Sequence, residues 1–132
     1  MRILLTGNLG YIGTILTKLL QEKNHFVTGY DRGLYKDCIL IDGASANKQI
    51  LKDIRSIEKK DLENIDCIIH LAGLSNDPLG ELKPGLTEEI NHLACIKLAK
   101  LSKECGVSRF VYASSLSMYG ISQSDEELDE YD

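Results

Sequence analysis

Apolar positions along this chain switch between two spacings. Arg2-Ile3-Leu4-Leu5-Thr6 is a short, nearly unbroken apolar run, the pattern of a parallel strand covered on both faces. A glycine-bearing turn follows. Ile12, Ile15, Leu16, Leu19 and Leu20 then recur at helical spacing and predict a helix from Tyr11 to Lys23, with Asn24 as its C-terminal stop. Strand spacing returns from Phe26 to Tyr30 and ends on Asp31. Between Arg32 and Gln49, Gly33, Gly43, Ser45 and Asn47 predict a loop around a short apolar piece at Cys38 to Ile41. Gln49 to Asp53 reads as a third strand, Ile57 to Leu62 as a helical turn, and Asp66 to Ala72 as a fully covered fourth strand. Leu86, Ile90, Leu93, Ala94, Leu98 and Leu101 make the stripe of a long helix from Pro84 to Cys105, stopped by Gly106. Arg109 to Ser114 is the fifth strand.

Strands alternating with helices predict an α/β fold with right-handed crossovers: a doubly wound parallel sheet of Rossmann type in the order 3-2-1-4-5. Ligands of such sheets lie at the carboxyl ends of the strands. In this chain those ends carry the glycine turn, Asp31, Asp53, Ala72-Gly73-Leu74-Ser75 and Ser114-Ser115, all polar or small. Acids and serines often end strands for purely structural reasons; five in register point to a ligand.

The glycine turn supplies the chemistry. Gly7, Gly10 and Gly13 stand between a strand and a helix, where backbone N–H groups and a helix N-terminus together can hold a pyrophosphate. Gly7 permits the tight turn, Gly10 removes a Cβ that would block a phosphate, and Gly13 lets the helix lie close to the strand. The spacing is Gly-x-x-Gly-x-x-Gly rather than the general Gly-x-Gly-x-x-Gly, so context carries the assignment. Asp31 supplies it, standing where an acidic residue should meet an adenosine ribose.

The chain has 132 residues, room for one domain with a modest core, and its composition is that of an ordinary globule without repeats. A net charge of −5 without clustered Lys and Arg argues against nucleic acid as a partner. No apolar run approaches a membrane span, and Met1-Arg2 leads straight into a core strand instead of a signal peptide, so the expected compartment is the cytosol. Cys38, Cys67, Cys95 and Cys105 lack metal-ligand spacing and read as reduced thiols, and no metal is expected.

Taken together, the motifs resemble the extended short-chain dehydrogenase/reductase family, in particular its nucleotide-sugar epimerases and dehydratases. The likeness rests on Thr6-Gly7-Asn8-Leu9-Gly10-Tyr11-Ile12-Gly13, Asp31, Asp53-Ile54-Arg55, His70-Leu71-Ala72-Gly73 and Ser114-Ser115-Leu116-Ser117-Met118-Tyr119-Gly120, with Asn91 at the place of a family Asn on the central helix. It spans essentially the whole chain. The resemblance implies that the residues of the glycine motif, Gly7 to Gly13, hold the dinucleotide and that Asp31 accepts from the adenosine ribose hydroxyls. A carboxylate there repels the 2′-phosphate of NADP, so NAD is the expected cofactor. Arg32 can meet that phosphate, which keeps NADP as the alternative.

By the same resemblance, Asp53 accepts from the adenine amino group and Ile54 covers its face. Leu71, Ala72 and Gly73 line the ribose and pyrophosphate passage, with Ser75, Asn91 and Ser114 beside it. Ser115 is the family's catalytic Ser/Thr, donating a hydrogen bond to the reacting oxygen of a nucleotide sugar. The family's base is a tyrosine, whose free pKa of about 10 is lowered by a lysine four residues on. By the resemblance that Tyr-x-x-x-Lys is expected about 25 residues beyond the serine, past Asp132; Tyr112 lies in the fifth strand, Tyr119 belongs to the serine motif, and Tyr131 has no following lysine. The expectation is therefore the cofactor-binding part of a longer enzyme, truncated before the last strands and the sugar-binding segment. Ser75 also departs from a cofactor-contacting lysine found in some sugar epimerases. The alternatives are a dinucleotide-binding module or redox sensor without catalysis, and a reductase of a non-sugar ketone. Related enzymes pair through helices, and Pro84 to Cys105 is the candidate for a homodimer. His25, His70 and His92 read as structural, Ser117 and Ser122 as loop hydroxyls, Asn76 to Gly80 as a turn that could border substrate, and the acidic run from Ser124 as a solvated tail.

Overall fold

The computed structural model describes residues 1–39, 41–75, 81–115 and 129. Asn76 to Gly80, all of the motif after Ser115, Ser122, and the acidic run apart from Asp129 lie outside the described residues. The sheet contains β1 (Arg2–Thr6), β2 (Phe26–Asp31), β3 (Lys48–Leu51), β4 (Cys67–His70) and β5 (Arg109–Tyr112). They run parallel in the predicted order β3-β2-β1-β4-β5. The register places Thr6 beside Tyr30 and His70, so the glycine turn leaves the sheet between the ends of β2 and β4.

One sheet face buries Leu4, Tyr30 and Ile68 against Ile54, Ile57, Leu62, Ile65, Ile90, Ala94 and Leu98 from the segments that cross over it. The other face receives α1 (Tyr11–Glu22). The apolar stripe predicted for α1 is not its buried edge. Gly13, Thr14 and Thr17 are buried, whereas Ile12, Ile15 and Leu19 are exposed. Close approach selects small side chains there, and the Thr17 hydroxyl donates to the Gly13 carbonyl at 2.7 Å, leaving no unpaired polar atom in the contact.

Both predicted helix stops hold. Asn24 takes φ +60°, with Asn24 N–H donating to Gln21 O at 2.9 Å and His25 N–H to Leu20 O at 3.0 Å. Gly106 takes φ +71°, with the same pair of bonds to Lys103 at 3.2 Å and, from Val107, to Ser102 at 2.9 Å. This is the Schellman arrangement, which satisfies the last helical carbonyls through one left-handed residue.

Four predicted elements change. The fourth strand is shorter than Asp66 to Ala72, and the fifth ends at Tyr112 instead of Ser114. The long helix is a composite: α2 (Pro84–Thr87), a π-helical stretch Glu88–Leu93, and α3 (Ala94–Glu104). Leu93, placed in the stripe by α spacing, is 53% exposed, because the wider π turn shifts it off the buried face. The third strand begins one residue earlier than expected and ends at Leu51, so Asp53 does not close it. Its ladder partner β2 ends at Asp31, opposite Leu51, and only the Lys52 N–H to Asp31 O bond continues beyond. Asp53 instead caps a 3₁₀ turn, Ile54–Ser56, by accepting from Arg55 N–H. Among the described residues no helix is long and apolar enough to cross a membrane.

Candidate functional site

The ends of β1, β2 and β4 converge on Gly7. It takes φ +73°, donates its N–H to Tyr30 O at 2.9 Å, and passes so near β4 that a Cβ would stand 2.8 Å from Ala72 N. Only glycine fits both the conformation and the contact. A Cβ on Gly13 would overlap the Gly7 carbonyl oxygen and come within 2.6 Å of Asn8 Cα, so this glycine seats the helix on the turn. Gly10 differs: its Cβ would meet nothing nearer than Gly7 O at 3.3 Å. Its missing side chain leaves free space above the turn, as a phosphate requires. Gly10 is also the N-cap of α1 and provides no side-chain cap, which leaves the first helical N–H groups from Tyr11 onward available to an anion.

Asp31 is oriented by the backbone on both sides. Leu9 N–H donates to Oδ2 at 3.2 Å and Gly33 N–H donates to Oδ1 at 2.7 Å. Each oxygen retains a lone pair for a further donor, so the carboxylate is both fixed and able to accept. Arg32 is solvent-facing, with a guanidinium nitrogen 3.7 Å from Asp53 Oδ2.

Asp53 is more committed than its sequence position suggested. Arg55 holds it from Nε at 2.9 Å and from a terminal nitrogen at 2.8 Å, and Arg55 N–H adds a third bond at 3.0 Å. The Arg55 guanidinium accordingly pulls the Asp53 carboxyl down to about 2, outweighing burial. Arg55 also reaches Glu89 at 2.6 Å, tying the 3₁₀ turn to the π stretch. Ile54 lies in the core at 6% exposure, so its side chain presents no free apolar face.

Past β4, Ala72 N–H donates to Thr6 Oγ1 at 3.2 Å, and the same oxygen lies 2.6 Å from His70 Nδ1. The Thr6 oxygen can accept from Ala72 and still either donate to Nδ1 or accept from it, and the buried Nε2 has no hydrogen-bond partner among the described residues. Burial holds His70 neutral, its pKa lowered to about 4, and its ring stacks on Tyr112 at 5.7 Å between centroids. His70 is thus structural, as its place in the strand suggested. Leu71, Ala72 and Gly73 follow directly after β4, with Gly73 and Ser75 exposed. Asn91, on the π stretch, accepts from Leu74 N–H and donates to Leu74 O, both at 2.8 Å, and so clamps the β4 exit instead of facing open space. Ser114 and Ser115 lie just beyond β5, at the same edge of the sheet.

Three participants were missed in the sequence: Thr6 as a bridge, Arg55 as the partner of Asp53, and Gln49, whose amide pairs with Asn8. Asn8 carried the only advance signal, since an amide in a glycine turn must find a partner. Among the described residues no group of His, Cys, Asp and Glu could hold a metal, and the four cysteines are free.

Open volume at Gly10, uncapped N–H groups on α1, and an oriented carboxylate beyond the turn match a pyrophosphate joined to a ribose. Comparison with known proteins agrees. UDP-glucose 4-epimerase of Streptococcus mutans is 28% identical over 129 residues, covering 92% of this chain and 38% of that protein. UDP-glucose 4-epimerase of Klebsiella pneumoniae is 28% identical over 134 residues, covering 91% of this chain and 93% of that sequence. The solved structure of TunA, an NAD dependent NDP-hexosamine 5,6-dehydratase, superposes with a TM-score of 0.85 at 26% identity, over 98% of this chain and 42% of its own. MoeE5 in complex with UDP-glucose and NAD gives 0.84 at 28%, over 100% of this chain and 42% of its own. The chain therefore spans less than half the length of the Streptococcus, TunA and MoeE5 proteins. A model of the NAD dependent epimerase/dehydratase family matches residues 3–132, and the chain belongs to that family.

Proposed function

We propose that this chain holds NAD across the ends of β1, β2 and β4 and serves an epimerase or dehydratase of nucleotide sugars. The observation that carries this reading is the Asp31 carboxylate held by Leu9 and Gly33 beside an uncapped helix N-terminus. The N–H groups at the start of α1 bind the pyrophosphate, Gly10 leaves room for it, and Asp31 accepts from the ribose. Asp53 meets the adenine with the oxygen capacity that Arg55 leaves it. Leu71, Ala72 and Gly73 border the passage, and Asn91 keeps its wall in place through Leu74. When bound, NAD supplies a reversible hydride acceptor. Ser115 donates a hydrogen bond to the sugar oxygen as charge develops on it, which stabilises that charge without reorganisation of solvent.

The relatives named for UDP-glucose, and the MoeE5 complex, support a nucleoside-diphosphate sugar as substrate. A homodimer fits the exposed Leu93 and Ile96 on the outer side of the π stretch and α3. A second reading is favoured by one observation: no tyrosine in these 132 residues is followed four positions later by lysine. On that reading the chain alone binds the dinucleotide and turns nothing over.

The test titrates NAD into the chain and then follows single-turnover reduction of bound NAD by UDP-glucose, with and without downstream sequence carrying Tyr-x-x-x-Lys. Binding by the chain, with reduction only in the longer protein, supports the proposal. Ser115→Ala in that longer protein should slow reduction by about 100-fold to 1000-fold, the effect of removing one donor aimed at a developing oxyanion. Reduction unchanged by Ser115→Ala would remove the serine from the mechanism.

A further inference from the structure

We propose that Gln49 is a positioning residue for the adenosine ribose, acting through Asn8 and Leu9 on Asp31. Asn8 is fully buried beneath the glycine turn, so its amide must be satisfied by protein groups. Gln49 does this reciprocally: Asn8 Nδ2 donates to Gln49 Oε1 at 2.7 Å, and Gln49 Nε2 donates to Asn8 Oδ1 at 3.1 Å. The pair reaches from the end of β1 to edge strand β3 and passes over β2 at Gly29. A Cβ on Gly29 would overlap the Asn8 amide and stand 2.5 Å from Gln49 Oε1, so the crossing exists because β2 has no side chain there.

Asn8 leads directly into the Leu9 N–H that donates to Asp31 Oδ2. Rotation of the Asn8–Leu9 peptide would withdraw that donor and free the carboxylate to turn. The amide pair thus controls, one residue removed, the orientation of the ribose acceptor, although Gln49 itself lies outside the turn. Its position on an exposed edge strand makes it replaceable without opening the core. The inference rests on the assignment of Asp31 to the ribose, and the experiment separates the two.

Dissociation constants for NAD and for its analogue lacking the adenosine 2′-hydroxyl would be measured on the wild-type chain, Gln49→Leu, Asp31→Ala and the double variant, with circular dichroism as a check on folding. Gln49→Leu should weaken NAD about tenfold, as expected for coupled neighbours, and weaken the analogue much less. On the Asp31→Ala background it should add nothing. Equal weakening of NAD and the analogue, an undiminished effect without Asp31, or no effect at all would overturn the inference and leave Gln49 a structural residue. Should Gln49→Leu fail to fold, Gln49→Glu, which keeps an acceptor for Asn8 Nδ2, is read by the same criteria. A wild-type chain that does not bind NAD, or binds both ligands equally, would overturn the Asp31 assignment and the inference with it.

Discussion

The Thr6 hydroxyl oxygen lies 2.6 Å from His70 Nδ1 while accepting the Ala72 N–H at 3.2 Å, so one side chain joins the ends of β1 and β4. Thr6→Val preserves shape and removes both bonds, leaving a backbone donor and a ring nitrogen without partners in a buried place. The expected loss of stability is about 1–3 kcal/mol, the cost of unsatisfied buried polar groups. Urea unfolding should show a lower midpoint with an unchanged slope, and an unchanged midpoint would mean that water replaces the hydroxyl.

His70 makes stability depend on pH. Its pKa in the fold is lowered to about 4 by burial, from 6.5 when free. Between these values the unfolded chain binds a proton that the folded chain refuses, so the contribution is complete above pH 6.5 and is lost as pH falls toward 4. His70→Phe should flatten the melting temperature across that window. A profile identical to wild type would show that another group titrates there.

Gly10 and Gly13 should separate binding from folding. Gly10→Val fills the open volume above the turn, where its Cβ meets only Gly7 O at 3.3 Å, so NAD binding should disappear while circular dichroism stays native. Gly13→Ala drives a methyl into the Gly7–Asn8 backbone and should lower stability by more than about 1 kcal/mol before any ligand is added. Equal thermal melts for the two variants would contradict this division.

Asp31→Ala removes the carboxylate proposed to accept from the ribose, and with it two bonds from Leu9 and Gly33. NAD affinity should fall by about 1.5–3 kcal/mol, and NADP should gain relative to NAD because the carboxylate no longer repels a 2′-phosphate and Arg32 stands nearby. A wild-type preference for NADP would reverse the roles given to Asp31 and Arg32.

The strand order was legible because strands alternating with helices imply right-handed crossovers in a parallel sheet, whereas the covered run at Cys67 to His70 marked only that a strand exists there. The helix stops at Asn24 and Gly106 were legible because a left-handed residue is needed there. The buried edge of α1 was not: contact at Gly13, Thr14 and Thr17 is limited by distance, and hydropathy patterns respond to area instead. Nor could Asp53 be placed, since where β3 ends depends on where β2 stops pairing. The roles of Arg55 and Gln49 arise between segments remote in sequence, and no local spacing encodes such a meeting. In the site, Gly7 to Gly13 and Asp31 followed from chemistry near in sequence, whereas Asn91 required knowledge of where Leu74 passes.

The π stretch between Pro84 and Glu104 makes residue count there a property of the helix itself. An α-helix turns by about 100° per residue, and a stretch with i→i+5 bonds turns by less, so it accommodates an extra residue between the same two ends. Deleting one residue from Glu88–Leu93 would convert the run to ordinary α geometry with its two ends in place, and would redistribute the residues inside it so that Asn91 no longer keeps its position opposite Leu74. A single-residue gap in this helix, when related chains are aligned, would therefore record a change in helical winding that releases or restores the clamp on the β4 exit.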